Sequence, residues 1–131
     1  MKKFCLPLVI ILMIGHTLIP TDPIDKIAIL IRQGNITELS KLFADNVEVS
    51  IVGDENVYSK LQTEQIIDRF FSQNKPKTIH VLHKVNSNPN YGFGVLIMTT
   101  NSGVYRIAVT LKETGGSLAI IEFTIETEKV K

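Results

Sequence analysis

The chain is short of the residue types on which much protein chemistry depends. Its 131 residues include no tryptophan, three histidines and one cysteine, Cys5. An internal disulfide is therefore excluded, and cleavage of the segment that contains Cys5 would also exclude a cysteine-based metal site. His80 and His83 are three apart in a predicted strand, and a third ligand is not evident. We expect no metal and no cofactor.

The chain also lacks an excess of charge of either sign. The 14 basic residues nearly balance the 13 acidic ones, and no run rich in lysine and arginine follows the amino terminus. A nucleic-acid binder concentrates positive charge on one surface. We therefore expect no nucleic-acid partner.

The amino-terminal residues are different in character from the rest. Lys2 and Lys3 precede an uncharged apolar run over residues 4–14. This layout is typical of a secretory signal peptide. The run is shorter than the roughly 20 residues of a membrane-spanning helix. If it extends to Pro20, an uncleaved membrane anchor is the alternative.

The predicted organisation is a signal peptide or uncleaved anchor over residues 1–20 and a single domain over residues 21–131. We expect the protein to be exported, either to the periplasm or as a secreted protein. The membrane would be contacted only through the amino-terminal segment, and only if it stays uncleaved.

The spacing of apolar residues along the chain changes near Lys75-Pro76-Lys77. Before this point apolar residues recur mostly at helical spacing, apart from an alternating strand over residues 47–51 and a brief partner at 57–58. After it come four alternating segments, which predict strands at 79–85, 91–100, 104–112 and 118–126. In the third of these strands, Tyr105, Ile107, Val109 and Leu111 share the face that we expect to be buried. The capping residues of the three predicted helices are Asp22 with Pro23, then Thr37, then Ser59 with Gln62. The fold class is α+β, a cone in which three helices pack on a curved antiparallel sheet.

Several motifs carry a resemblance to known proteins. Val57-Tyr58-Ser59-Lys60, continuing to the pair Phe70-Phe71, resembles the strand-turn-helix entry of the nuclear-transport-factor-2-like superfamily, which includes ketosteroid isomerases and polyketide cyclases. Asn74-Lys75-Pro76-Lys77, Leu82-His83 and a closing Gly-Gly hairpin are similar to an uncharacterised family of small secreted bacterial proteins, domain of unknown function 4783. The resemblance covers residues 22–126. It implies a cone with a cavity and a tendency to dimerise through the outer face of the sheet.

Three residues are candidates for binding a ligand: His83, Tyr58 and Tyr105. His83 is an even number of positions from Ile79 and Val81, so the three side chains would lie on the same face of the strand. We therefore expect the imidazole of His83 to point into the cone. The two tyrosines would place hydroxyl groups at the entrance. The alternatives are a hydrogen-bonded core histidine and tyrosines in ordinary edge packing.

Apolar residues on the face of the four predicted carboxy-terminal strands that points away from the core predict a dimer interface. These residues are Leu96, Met98, Ala108, Leu118 and Ile120. Strands that are apolar on both faces are usually covered on both faces, and a second copy is the simplest cover. The alternative is a chance scatter of apolar residues combined with a slip in the assigned register.

Two functions remain open on the sequence alone. The first is a non-catalytic, dimerising binding module for a small apolar ligand, a peptide or an envelope partner. The second is a small isomerase, dehydratase or hydrolase that uses His83 in the cone. Inward-facing acids are missing from the four late strands, so no catalytic residue is assigned.

Overall fold

The computed structural model describes residues 22–128, and the predicted signal segment lies outside them. The helices are α1 (Pro23–Gln33), α2 (Ile36–Ser40) and α3 (Lys60–Gln73). The strands are β1 (Phe43–Ile51), β2 (Asp54–Ser59), β3 (Thr78–Asn88), β4 (Tyr91–Thr100), β5 (Gly103–Thr114) and β6 (Ser117–Thr127). Of the helices in this range, none combines the length and apolar character that crossing a membrane requires.

Helix α1 begins and ends as its sequence predicts. The Asp22 side chain accepts a hydrogen bond from the Ile24 amide at 2.8 Å, and Pro23 occupies the first helical position. Gly34 ends the helix in the left-handed conformation, at φ 70°. A residue without Cβ adopts this conformation at no steric cost.

The other two helices differ in how well their starts were predicted. The N-cap of α2 is Asn35, whose side chain accepts from the Glu38 amide at 3.3 Å, so the prediction of Thr37 as the cap is wrong. Helix α3 begins with the predicted capping box, in which Ser59 and Gln62 bond each other's backbone amides.

The six strands form one sheet in the order β2-β1-β6-β5-β4-β3. Every neighbouring pair is antiparallel except β1 and β6, which are parallel. The sheet is therefore mixed, and the prediction of a wholly antiparallel sheet is wrong at this pair. The last strand of the meander returns beside the first strand of the chain, so strand alternation alone did not reveal the pairing.

The turn between β1 and β2 is shorter than the gap between the predicted strands at 47–51 and 57–58. Ile51 pairs directly with Asp54, so only Val52 and Gly53 form the loop. Both have positive φ, 48° and 88° respectively. These angles suit a two-residue hairpin, but a β-branched residue rarely adopts them.

The core lies between the helices and one face of the sheet, called here the inner face. The helices contribute Ile27, Ile31, Leu39 and Ile67, all fully buried. Opposite them, Ile107, Val109 and Leu111 of β5 are buried as predicted, and Phe123 and Ile125 of β6 join them. The interior of the cone is thus filled with large apolar side chains rather than open to a ligand.

Candidate functional site

His83 does not point into the cone, and the prediction that it does is wrong. Val81 pairs with Leu96, but His83 pairs with the very next residue of β4, Val95. Leu82 is therefore the extra residue of a β-bulge. Because side chains alternate along a strand, the bulge moves His83 to the opposite, outer face, where it is exposed.

The same bulge turns Lys84 towards helix α1. Lys84 pairs with Gly94 on the inner face, and its ammonium lies 3.0 Å from Oδ2 of Asp25 and 3.9 Å from Oδ2 of Asp22. The hydrogen bond to Asp25 raises the pKa of Lys84 above its usual range, although partial burial opposes the shift. A structural ion pair between sheet and helix therefore lies where the imidazole was expected.

Tyr105 is held in a structural network. Its hydroxyl group donates to Oδ1 of Asn74 at 3.1 Å, and the Ser102 hydroxyl donates to the same atom at 2.7 Å. The Tyr105 ring packs edge-to-face on Phe70 at 5.2 Å between centroids. These contacts fasten the end of α3 to the β4–β5 hairpin.

The structure does not bring the three predicted ligand-binding residues together. Tyr58 is half-buried on β2, where it faces Val47 and packs against the core. Strand β2 forms one edge of the sheet and β3, with His83, forms the other. Tyr58 and Tyr105 lie on the inner face and His83 lies on the outer face, so the imidazole shares no pocket with the two hydroxyl groups.

Leu96 and Met98 belong to the core, and their prediction as an outer patch is wrong. Both are 0% exposed. In the register of β4 and β5, Leu96 lies opposite Ile107 and Met98 lies opposite Tyr105, so each shares the inner face with its partner. The two-residue hairpin loop at 101–102 was the available signal, because it fixes this register.

The patch prediction fails for β6 for a different reason. Ile120 is 0% exposed and Leu118 packs against the core. Leu111 pairs with Ile120, but Thr110 pairs with Glu122, so Ile121 is an extra residue that reverses the parity of the strand. Of the five predicted residues, only Ala108 lies on the outer face.

The outer face is organised in rows that cross all six strands. Residues directly opposite each other in a sheet share a face. The central row, read from β3 to β2, is His83, Val95, Ala108, Thr124, Ser50 and Glu55. The neighbouring row is Val85, Phe93, Thr110, Glu122, Glu48 and Val57. All three helices pack on the other side of the sheet.

The two halves of the outer face differ in chemistry. The β3–β4 half carries His80, His83 and apolar side chains, whereas the β6–β1–β2 half carries Glu122, Glu48 and Glu55. A hydrogen bond to Glu55 and the charge of Glu55 raise the pKa of Glu48, and burial and the charge of Glu122 add to the shift. The glutamates therefore repel one another at neutral pH.

Within residues 22–128, no group of three or more histidine, cysteine or acidic side chains is placed to hold a metal ion. The acidic half of the outer face is a surface of carboxylates that repel one another.

Comparison with known sequences identifies one family. The family described as "Domain of unknown function (DUF4783)" matches residues 24–126, which is most of the chain. No curated protein matches.

Comparison with solved structures agrees with the cone architecture. A DUF4783 family protein from Bacteroides uniformis is 22% identical with a TM-score of 0.78, covering 83% of this chain and 100% of its own. A DUF4783 family protein from Bacteroides ovatus is 22% identical with a TM-score of 0.74, covering 79% and 94%. An NTF-2 like protein of unknown function from Burkholderia xenovorans is 10% identical with a TM-score of 0.62, covering 82% and 81%. The fold is therefore nuclear-transport-factor-2-like.

Proposed function

This chain belongs to the DUF4783 family, and from that premise we propose that it is a non-catalytic binding module that dimerises through the outer face of its sheet. The observation that carries the proposal is the central row of the outer face. This row has His83 at one edge and Glu55 at the other, with only small or apolar side chains and two hydroxyl groups between them.

Such a row is complementary to itself. A two-fold axis parallel to the strands, between β5 and β6, would set the β3 edge of one copy over the β2 edge of the other. His83 would then face Glu55 of the second copy, and Ala108 would face Thr124. The small side chains in the middle would allow the two sheets to approach closely.

The apolar side chains on the outer face also support a second copy of the chain as the partner. Phe93 and Ile97 are half-buried on the outer face of β4, where Val95 between them is buried, and Val85 beside Phe93 is 49% exposed. Because the inner face of β4 is buried as well, this strand is apolar on both faces. Strands of this kind are usually covered on both faces. The helices of residues 22–128 cover only the inner face, which leaves the outer face for a second copy.

The enzymatic alternative has less support. It requires a base and a donor that converge on one position in the cone. His83 lies on the outer face, the Tyr105 hydroxyl is bonded to Asn74, and the inner face of β5 is apolar below it.

Export belongs to the same proposal. Lys2 and Lys3 followed by the apolar residues 4–14 support a signal segment. Cell fractionation of the native host with an antibody to the chain is the direct test. Recovery in the periplasm or the medium is expected, and recovery of the full-length chain in the cytosol would refute export.

Light scattering over a concentration series tests the dimer. Ile97→Glu places a charge on the outer face, and Ile29→Glu makes the identical change on the exposed side of α1, where Ile29 is 50% exposed. We expect Ile97→Glu to weaken dimerisation tenfold or more and Ile29→Glu to leave it unchanged. A thermal melt of each variant confirms that the domain stays folded.

Two results would contradict the proposal. One is a native chain that stays monomeric at high micromolar concentration. The other is a dimer that Ile97→Glu leaves intact, because the contact would then lie elsewhere on the molecule.

A further inference from the structure

A second surface of the molecule has the form of a ligand site. It is a recess of about 340 Å³ at the mouth of the cone, lined by Pro23, Lys26, Leu42, Leu111 and Leu118. Its volume falls within the range of about 300–1,000 Å³ that is usual for small-molecule pockets. It lies on the helix side of the sheet, so it is separate from the outer face.

The floor of the recess is fixed by the core. Leu111 is 1% exposed and pairs with Ile120 across the β5–β6 ladder. The Ile120 amide donates to the carbonyl oxygen of Leu42 at 2.7 Å, which holds the α2–β1 junction against β6. The apolar wall is therefore built from β5, β6 and the α2–β1 junction, which are hydrogen-bonded to one another.

Lys26 is the only charged residue of this lining, and it lies at the rim, exposed to solvent. No carboxylate among residues 22–128 lies within 4.0 Å of its ammonium group. By contrast, Lys84 is paired with Asp25 and Lys41 with Glu38. The recess thus combines an apolar floor with one cation that has no partner in the described chain.

A neighbouring recess extends the surface. It measures about 190 Å³ and shares Pro23, Leu111 and Leu118 with the first. It continues towards Tyr91 and Pro89 at the β3–β4 turn, and its polar side is formed by Asp22, Asn86 and Asn88. A linear apolar chain lying along Leu118 and Leu111 would have room on both sides.

We infer that the recess binds an amphipathic carboxylate, with its acyl chain on Leu111 and Leu118 and its carboxylate on the Lys26 ammonium group. The apolar floor would desolvate the acyl chain. The lysine would supply a charge-assisted hydrogen bond that a neutral head group cannot accept with equal strength. The inference is independent of dimerisation, because it uses the opposite side of the sheet.

Isothermal titration of the full chain with decanoate and with decanol tests the site. Lys26→Met keeps the aliphatic stem and removes the charge, and Lys77→Met is the matched control, because Lys77 is exposed outside both recesses. We expect saturable decanoate binding that weakens about tenfold or more in Lys26→Met and is unchanged in Lys77→Met. Decanol should bind more weakly than decanoate and should not respond to Lys26→Met.

The methyl resonances of Leu42, Leu111 and Leu118 locate the ligand. We expect them to shift on addition of decanoate, together with the side chain of Lys26. The inference is overturned if the native chain shows no saturable binding, if Lys26→Met binds decanoate as tightly as the native chain, or if the three leucine methyls do not shift.

Discussion

Gly94 on β4 lies so close to Ile24 on α1 that the glycine position has no space for a side chain. A Cβ atom at Gly94 would lie 2.9 Å from Cδ1 of Ile24, well inside van der Waals contact. Ile24 is itself 2% exposed and part of the core. The close approach of this helix to the sheet therefore depends on the missing Cβ atom.

Replacing Gly94 with alanine should destabilise the domain by about 1–3 kcal/mol, because the new methyl group overlaps a buried side chain. Chemical denaturation measures the free energy of unfolding. Gly92→Ala is the matched control on the same strand, since its Cβ would meet Leu111 Cδ1 at an ordinary 3.4 Å. Equal costs for the two substitutions would contradict the prediction.

Val52→Asn should stabilise the domain by about 1 kcal/mol. Val52 has φ 48°, which a β-branched residue adopts only with strain, and asparagine before Gly53 favours the observed hairpin turn. Val52 is 55% exposed, so little packing is lost. A rise in the urea midpoint is the expected result. Val57→Asn, on the exposed side of β2, should lower it instead, and a fall for both would contradict the prediction.

Glu48→Gln should stabilise the domain at pH 7 and have less effect at pH 4. The pKa of Glu48 is raised in the folded state from its ordinary value near 4.5. A raised pKa means that the folded state holds the proton more tightly, so this favourable contribution is complete below the unfolded pKa. It is lost as pH rises through the folded pKa. Glutamine stays neutral at every pH, so the variant does not lose this stability as the pH rises.

Urea midpoints for Glu48→Gln at pH 4, 5.5 and 7 measure this dependence. Glu64→Gln on helix α3 is the control, because it removes the same charge away from the outer face. The stability gained by Glu48→Gln should grow with pH, whereas that of Glu64→Gln should not. A gain that is constant or that shrinks between pH 4 and 7 would refute the repulsion between Glu48 and its neighbours.

A charge exchange between the two edges of the sheet tests the geometry of the proposed dimer. His83→Glu should weaken dimerisation about tenfold or more at low salt, because the new carboxylate would face Glu55 of the second copy. Adding Glu55→Lys should restore dimerisation. Within one chain the two positions lie at opposite edges of the sheet, so rescue requires contact between copies. Sedimentation velocity provides the association constants, and absence of rescue would exclude this orientation.

Local signals predicted most of the secondary structure. The caps of α1 and α3 were correct because a side chain and an amide two or three residues away are enough to define them. The inner face of β5 was predicted correctly because polar and apolar residues alternate from Tyr105 to Lys112, with Ala108 as the one exception. Each of these features depends on neighbours in the sequence.

The outer face could not be predicted in the same way. The bulges at Leu82 and Ile121 insert one residue without any glycine or proline to mark it, and each reverses the parity that follows. Strand β4 is apolar on both faces, so its own pattern does not say which side is buried. Only pairing across strands settles these assignments, and the candidate site depended on all of them.

The parallel pair of strands bears on how the chain reaches its native state. Ile51 pairs with Ile125, 74 positions later, and no nearer segment replaces this partner on that side of β1. Closing so long a loop costs entropy before any contact forms, which slows folding. A ribosome-bound chain would lack its final strand, so one edge of β1 would stay without its hydrogen-bonded neighbour until synthesis ended. Collapse into the finished cone should therefore be a late event that needs the whole polypeptide.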